Sequence, residues 1–124
     1  MKRLALLIIF SVVLAGCQVI EPIQQASDYI YGKAQLEQQK AADRTLAILK
    51  CQRLCQEAVF NDNQDFTVGE CLSEQIIPDW VCDIAHSPRQ TIDDDPANQC
   101  DSFRAGVARH FVEVDGNCNL IKAE

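Results

Sequence analysis

The residues able to do chemistry in this chain are few. Cys51 and Cys55 stand four positions apart in "LKCQRLCQEA", and five more cysteines are spread along the sequence. A zinc clamp needs four ligands from close Cys or His pairs. No second close pair exists, and His86 and His110 are isolated. Dithiol redox catalysis uses C-x-x-C, and that spacing is absent, as is the C-x-x-C-H haem motif. His86 and His110 have Asp83 and Asp101 as sequence neighbours, but no nucleophile motif such as G-x-S-x-G accompanies them. Asp93, Asp94 and Asp95, the run "NDNQD" at 61–65, and Asp115 with Asn117 and Asn119 suggest calcium, yet none follows the EF-hand ligand order. The expectation is no metal, no cofactor and no catalytic residues.

The N-terminus is more informative. Lys2 and Arg3 precede an apolar run from Leu4 to Leu14, interrupted by Ser11. A spanning helix needs about 20 apolar residues, so this run reads as a secretory signal peptide. It ends in Leu14-Ala15-Gly16-Cys17. This resembles the lipobox of bacterial lipoproteins. The resemblance covers residues 1–18 alone and implies the following. Cys17 receives a diacylglyceryl group, cleavage falls before it, and its freed amine is acylated with a chain such as palmitate. Gln18, rather than aspartate, implies sorting to the outer membrane of a Gram-negative envelope. Each buried CH2 of such chains contributes about 0.8 kcal/mol, and several chains anchor stably where one does not.

Loss of residues 1–16 leaves 108 residues, enough for one small domain and a tether. Lys2 and Arg3 leave with the signal, so the net charge moves from −7 to −9. That excess of acid excludes ordinary nucleic-acid binding, which depends on clustered Lys and Arg. With Cys17 committed to lipid, an even set remains: Cys51, Cys55, Cys71, Cys82, Cys100 and Cys118. In an oxidising compartment such a set reads as three disulfides. Spacing alone leaves 15 connectivities open. If the Cys71–Cys82 segment folds back along a long helix, the pairs are Cys55–Cys71, Cys51–Cys82 and Cys100–Cys118.

The elements that would hold these cysteines follow from periodicity. Residues 17–34 read as the acylated cysteine and a tether, broken by Pro22 and Gly32. Residues 35–124 form the globular domain. Ala47, Ile48, Cys51, Leu54, Cys55, Ala58 and Val59 recur at helical spacing within a helix over 35–60. Thr67 and Glu70 have capping-box spacing, which predicts a short helix from Val68 to Ile77, stopped by Pro78. Residues 79–85 read as a turn or short helix, 86–99 as a loop, and Asp101 to Phe111 as a helix weakened by Gly106. Asp115-Gly116 signals a hairpin with Val114 opposite Cys118 and Val112 opposite Leu120. The expected fold is mainly α with a small C-terminal β-hairpin, stapled by disulfides.

The expected function is a lipid-anchored envelope accessory or interaction protein without catalytic activity. It would be held to the membrane by its lipid and would contact another envelope protein through Asp93, Asp94, Asp95 or Trp80. The alternative is a periplasmic inhibitor or immunity-type protein that blocks a basic active site. No nucleic acid and no small-molecule substrate is expected. Cys17→Ser should remove both the acyl mass and the membrane partition, read by intact mass spectrometry and fractionation. A Cys17→Ser chain that still carries lipid would refute the lipobox.

Overall fold

A computed structural model describes residues 20–62, 66 and 68–124, without the side chains of 20–22, 61 and 62. The signal peptide, the lipobox and Thr67 lie outside the described residues. The chain divides into two units, 1–39 and 40–124. In the first, helix is continuous from Ile20, through the segment expected as a tether, and Tyr29, Ile30, Tyr31 and Leu36 are exposed. Gly32 does not interrupt it, and Pro22 falls in the first turn, where its missing N–H has no helical partner to lose.

The second unit packs the remainder of that helix, α1 (Ile20–Asp62), on a four-stranded sheet. The strands are β1 (Cys71–Ile77), β2 (Trp80–Ile84), β3 (His110–Val114) and β4 (Leu120–Ala123), in spatial order 1-2-3-4. β1–β2 and β3–β4 are antiparallel, while β2–β3 is parallel. A crossover therefore joins β2 to β3. It carries 3-10 turns at Thr91–Asp94 and Pro96–Asn98 and one helical turn, α2 (Asp101–Arg104).

The expected helical stripe forms the seam against the sheet. Ala47, Cys51, Cys55 and Ala58 are buried with Trp80, Cys82, Ile84, Val112 and Val114, and Ile48 and Val59 pack at the margin. Leu46 and Leu49 are exposed. Two side chains of α1 also bond the strand edge. Arg44 Nε donates to the Ala123 carbonyl and Gln52 Nε2 to the Cys118 carbonyl, both at 3.2 Å.

Three expectations are corrected. Residues 68–77 are not a helix: Gly69 has a φ of 67°, and Cys71–Ile77 is a strand with two register shifts against β2. Residues 79–85 are not a turn or short helix but hold β2 (Trp80–Ile84), whose alternation sends Trp80, Cys82 and Ile84 toward α1 and Val81 and Asp83 to the other face. The helix expected from Asp101 to Phe111 ends at Arg104, and Gly106 turns the chain with a φ of 70°. Capping-box spacing pointed to helix at 68–77, but pairing with β2 decided otherwise, as tertiary context does for weak local signals.

The C-terminal hairpin exists with a different register. Val114 faces Leu120 and Val112 faces Ala123, leaving five residues, 115–119, in the loop. Asp115 organises that loop. Its Oδ1 accepts from the Asn117 and Asn119 amides at 2.9 and 2.8 Å, and its Oδ2 from the Asn119 side chain. Burial alone would raise the Asp115 pKa, but these hydrogen bonds hold it below the usual carboxylate value. Cys118, at a φ of 65°, is thereby turned inward.

The disulfides follow from this topology. Cys51 is bonded to Cys82, Cys55 to Cys118 and Cys71 to Cys100. The expected Cys55–Cys71 and Cys100–Cys118 pairs are replaced. Cys71 begins β1 and packs with Cys100 and Val81, away from the seam of α1, so it cannot meet Cys55. Three disulfides fit an oxidising, extracytoplasmic environment. No helix among the described residues is long and apolar enough to cross a membrane.

The Cys55–Cys118 bond spans 63 residues and Cys71–Cys100 spans 29. On the loop-entropy account, the double variant Cys55→Ala/Cys118→Ala should lose about 2–5 kcal/mol in urea unfolding, roughly 0.7 kcal/mol more than Cys71→Ala/Cys100→Ala. An equal or reversed order would place the stabilisation outside chain entropy.

Candidate functional site

The sheet has a second face, and β2 and β3 build it in register. Val81 pairs with Phe111 and Asp83 with Glu113 across the parallel ladder. Residues alternate sides along a strand, so this set points away from the seam of α1. The crossover covers part of the face. Val81, Cys100 and Ala108 form a small buried cluster there, with Cys71 and Phe111 against it. What is left open is a cavity of about 480 Å3. Val81, Phe103, Phe111 and Ile121 give its apolar wall, and Asp83, Glu113, Arg89 and His86 are among its polar lining.

The crossover is held rigid around this cavity. Glu74, on β1, reaches across to accept from the Asp101 and Ser102 amides at 3.0 and 2.7 Å, capping α2 from a distant strand. The Cys71–Cys100 bond lies beside it. Phe103, on α2, meets Phe111 edge to face at 5.1 Å. The opposite side is organised by Asp93. Its Oδ2 accepts from the Gln90 and His86 amides at 2.7 and 3.2 Å, and its Oδ1 lies 2.7 Å from His86 Nδ1. Burial pushes its pKa up, but the Gln90 and His86 hydrogen bonds outweigh that and hold it low. Ionised Asp93 fixes the His86 proton on Nδ1. Gly69 allows this packing, because a Cβ there would stand 2.9 Å from Asp93 Oδ1 at an already left-handed φ.

Arg89 ties the acidic loop to the sheet. Its guanidinium donates to Glu113 Oε1 at 2.6 Å, to Asp94 Oδ1 at 3.0 Å and to the Asp93 carbonyl at 3.4 Å. The hydrogen bonds to Glu113 and Asp94 raise its pKa further. Asp83 has no such partner. Its Oδ1 is fully buried without a hydrogen bond. Burial, then the neighbouring Glu113 charge, push its pKa to about 7.

The acidic triplet expected as a contact surface is spent internally in part. Asp93 is buried, Asp94 is exposed but bonded to Arg89, and exposed Asp95 caps the Pro96–Asn98 turn by accepting from the Ala97 amide. Trp80 is only 6% exposed and stacks on His110 at 4.7 Å, so it is a core residue rather than a surface contact. Sequence reasoning noted Asp83 only as an acidic neighbour of the histidines and missed Glu113 and Arg89. The alternation in "WVCDI" and "HFVEV" was the available signal for Asp83 and Glu113, since one polar residue falls on the second face of each. Nothing local announced Arg89.

Among the described residues, no hydroxyl or thiol is hydrogen-bonded to His86, whose ring contact is with Asp93. The one three-residue group among the described residues with metal-ligating atoms close together is Cys71, Glu74 and Cys100, and its two sulfurs are bonded to each other. Comparison with family models, curated proteins and solved structures finds no match to this chain.

Asp83 makes stability depend on pH. Its folded pKa of about 7 lies above the ordinary 3.8. The folded state therefore holds more protons between these values, and stability falls as pH rises from about 4 to about 7. Carboxylates held low, such as Asp93 and Asp115, act below that window. Asp83→Asn should remove the decline in thermal midpoint between pH 5 and pH 7.5. A decline unchanged in D83N would assign it to another group.

Proposed function

We propose that this is a lipid-anchored, non-catalytic accessory protein of a bacterial cell envelope, held to the outer membrane through acylated Cys17. The observation that supports this most is the pairing of cysteines. Six of the seven are joined to each other in the domain, which leaves Cys17, at the end of a lipobox, as the odd one. An even, fully paired set belongs to an exported domain. The odd cysteine is then the anchor rather than a reactive thiol.

The interaction role is supported by what the domain presents. Tyr29, Ile30, Tyr31 and Leu36 are exposed on α1, apolar area of the kind that marks contact surfaces. The inhibitor reading is the weaker of the two, because Asp93 and Asp94, two of the charges that would enter a basic active site, are used inside the domain.

Photo-cross-linking from position 30 or 31 in intact cells, followed by mild detergent extraction, should capture a neighbouring envelope protein. Capture should fall when Cys17→Ser releases the domain from the membrane. Recovery of a soluble periplasmic hydrolase instead, with its activity blocked, would replace this reading by the inhibitor.

A further inference from the structure

We propose that the cavity on the second face of the sheet binds an amphipathic cation: a protonated amine or a guanidinium carried on an apolar body. This goes beyond the accessory role and does not depend on the lipid anchor. The cavity holds about 480 Å3, within the range of about 300–1,000 Å3 for small-ligand sites. Its walls have two characters. Phe103, Phe111, Val81 and Ile121 suit an apolar body, while Asp83 and Glu113 stand side by side on β2 and β3.

The charges at the site are already matched, with one exception. Arg89 answers Glu113 at 2.6 Å, and His86 with two backbone amides answers Asp93. Asp83 faces Glu113, Arg89, Asp93, His86 and Lys122 across the cavity and its rim, yet its Oδ1 is hydrogen-bonded to none of them. A single cation is what this inventory lacks. An anion would meet two carboxylates. A divalent metal would find two carboxylates of which one already holds Arg89, and no third ligand groups with them. A neutral donor would offset none of the Asp83 charge. The aromatic wall favours the same chemistry, because a cation is attracted to a ring face. The chain supplies its own example: Lys122 Nζ lies 5.5 Å from the centre of the Phe111 ring.

The cation can be free, as a small amine, or can be a basic side chain of another protein. Isothermal titration of the full mature lipoprotein in neutral detergent, with micelles alone subtracted, separates these. The probes are phenethylamine, its neutral counterpart 2-phenylethanol, and the capped dipeptide acetyl-Phe-Lys-amide, at pH 6 and pH 8. Both amines stay protonated over this range. An acid of pKa about 7 goes from roughly one-tenth to nine-tenths ionised across it, so cation affinity should rise about tenfold. 2-Phenylethanol should show no such gain, and Asp83→Asn should abolish it. Binding by either cation supports the site, and the tighter one identifies the source. No binding by either, equal binding of the alcohol, or a gain that survives D83N and so belongs to another group, overturns the proposal. The comparison of amine with alcohol uses the unaltered protein and stands even if D83N does not fold.

Discussion

The structure depends on pinning one helix to one sheet across a very small core. Val112, Val114, Trp80 and Ile84 meet a seam of α1 whose buried members are two alanines and two cysteines. Alanines bury little apolar area, and at about 25 cal/mol per Å2 they contribute little to cohesion. The cysteines supply what the side-chain volume does not. Cys51 is tied to β2 and Cys55 to the loop before β4, so covalent bonds hold the helix at two points one turn apart. Small exported domains commonly rely on such bonds where the core alone is thin. Ala47 and Ala58, on either side of the two staples, also let the helix lie close to the strands.

With one face of the sheet sealed in this way, the other face is left to the crossover between β2 and β3. A parallel pair cannot be joined by a tight turn, and the long connection that results has to be fastened piece by piece. Glu74 caps α2, the Cys71–Cys100 bond anchors the chain before it, Asp93 gathers the turn after Ser87, and Arg89 ties that turn to Glu113. The Asp93 and Arg89 fastenings satisfy part-buried polar groups that would otherwise lack partners. Asp83 Oδ1 is the buried atom this arrangement leaves without a hydrogen bond, and Asp83 lines a cavity large enough to admit a ligand. Natural chains retain such orphans where something else completes them more often than by neglect.

The legible part of the fold was the seam of α1. Its stripe from Ala47 to Val59 has helical period, and periodicity over several turns is a strong local signal. The strands were harder to read. "CLSEQII" carries helix-favouring residues and no clean alternation, and its pairing with β2 includes two register shifts that erase the pattern. "WVCDI" alternates, but five residues of a strand buried on one face and half-covered on the other resemble a short buried helix as well. For the candidate site, His86 and Asp93 were visible as residue types, while their union depended on a left-handed glycine at position 69 that lies far from both in sequence. Trp80 invited a surface role by its type and received a core one by its place on β2.

Residues 1–18 and the cysteine count are local or additive properties. A lipobox is a contiguous string, and seven cysteines less one leave an even set wherever they fall in space. The chain alone therefore determined the expected address, the acidic character and the presence of disulfides. Which cysteine meets which is not additive. It depends on β2 and β3 running parallel, because that order carries Cys100 to the side of the sheet with Cys71 and leaves Cys118 at the end of the hairpin beside Cys55. The same parallel register sets Asp83 next to Glu113, thirty positions away. Strand order and register arise from contacts between distant segments, so only the tertiary structure decided the pairing and the cavity.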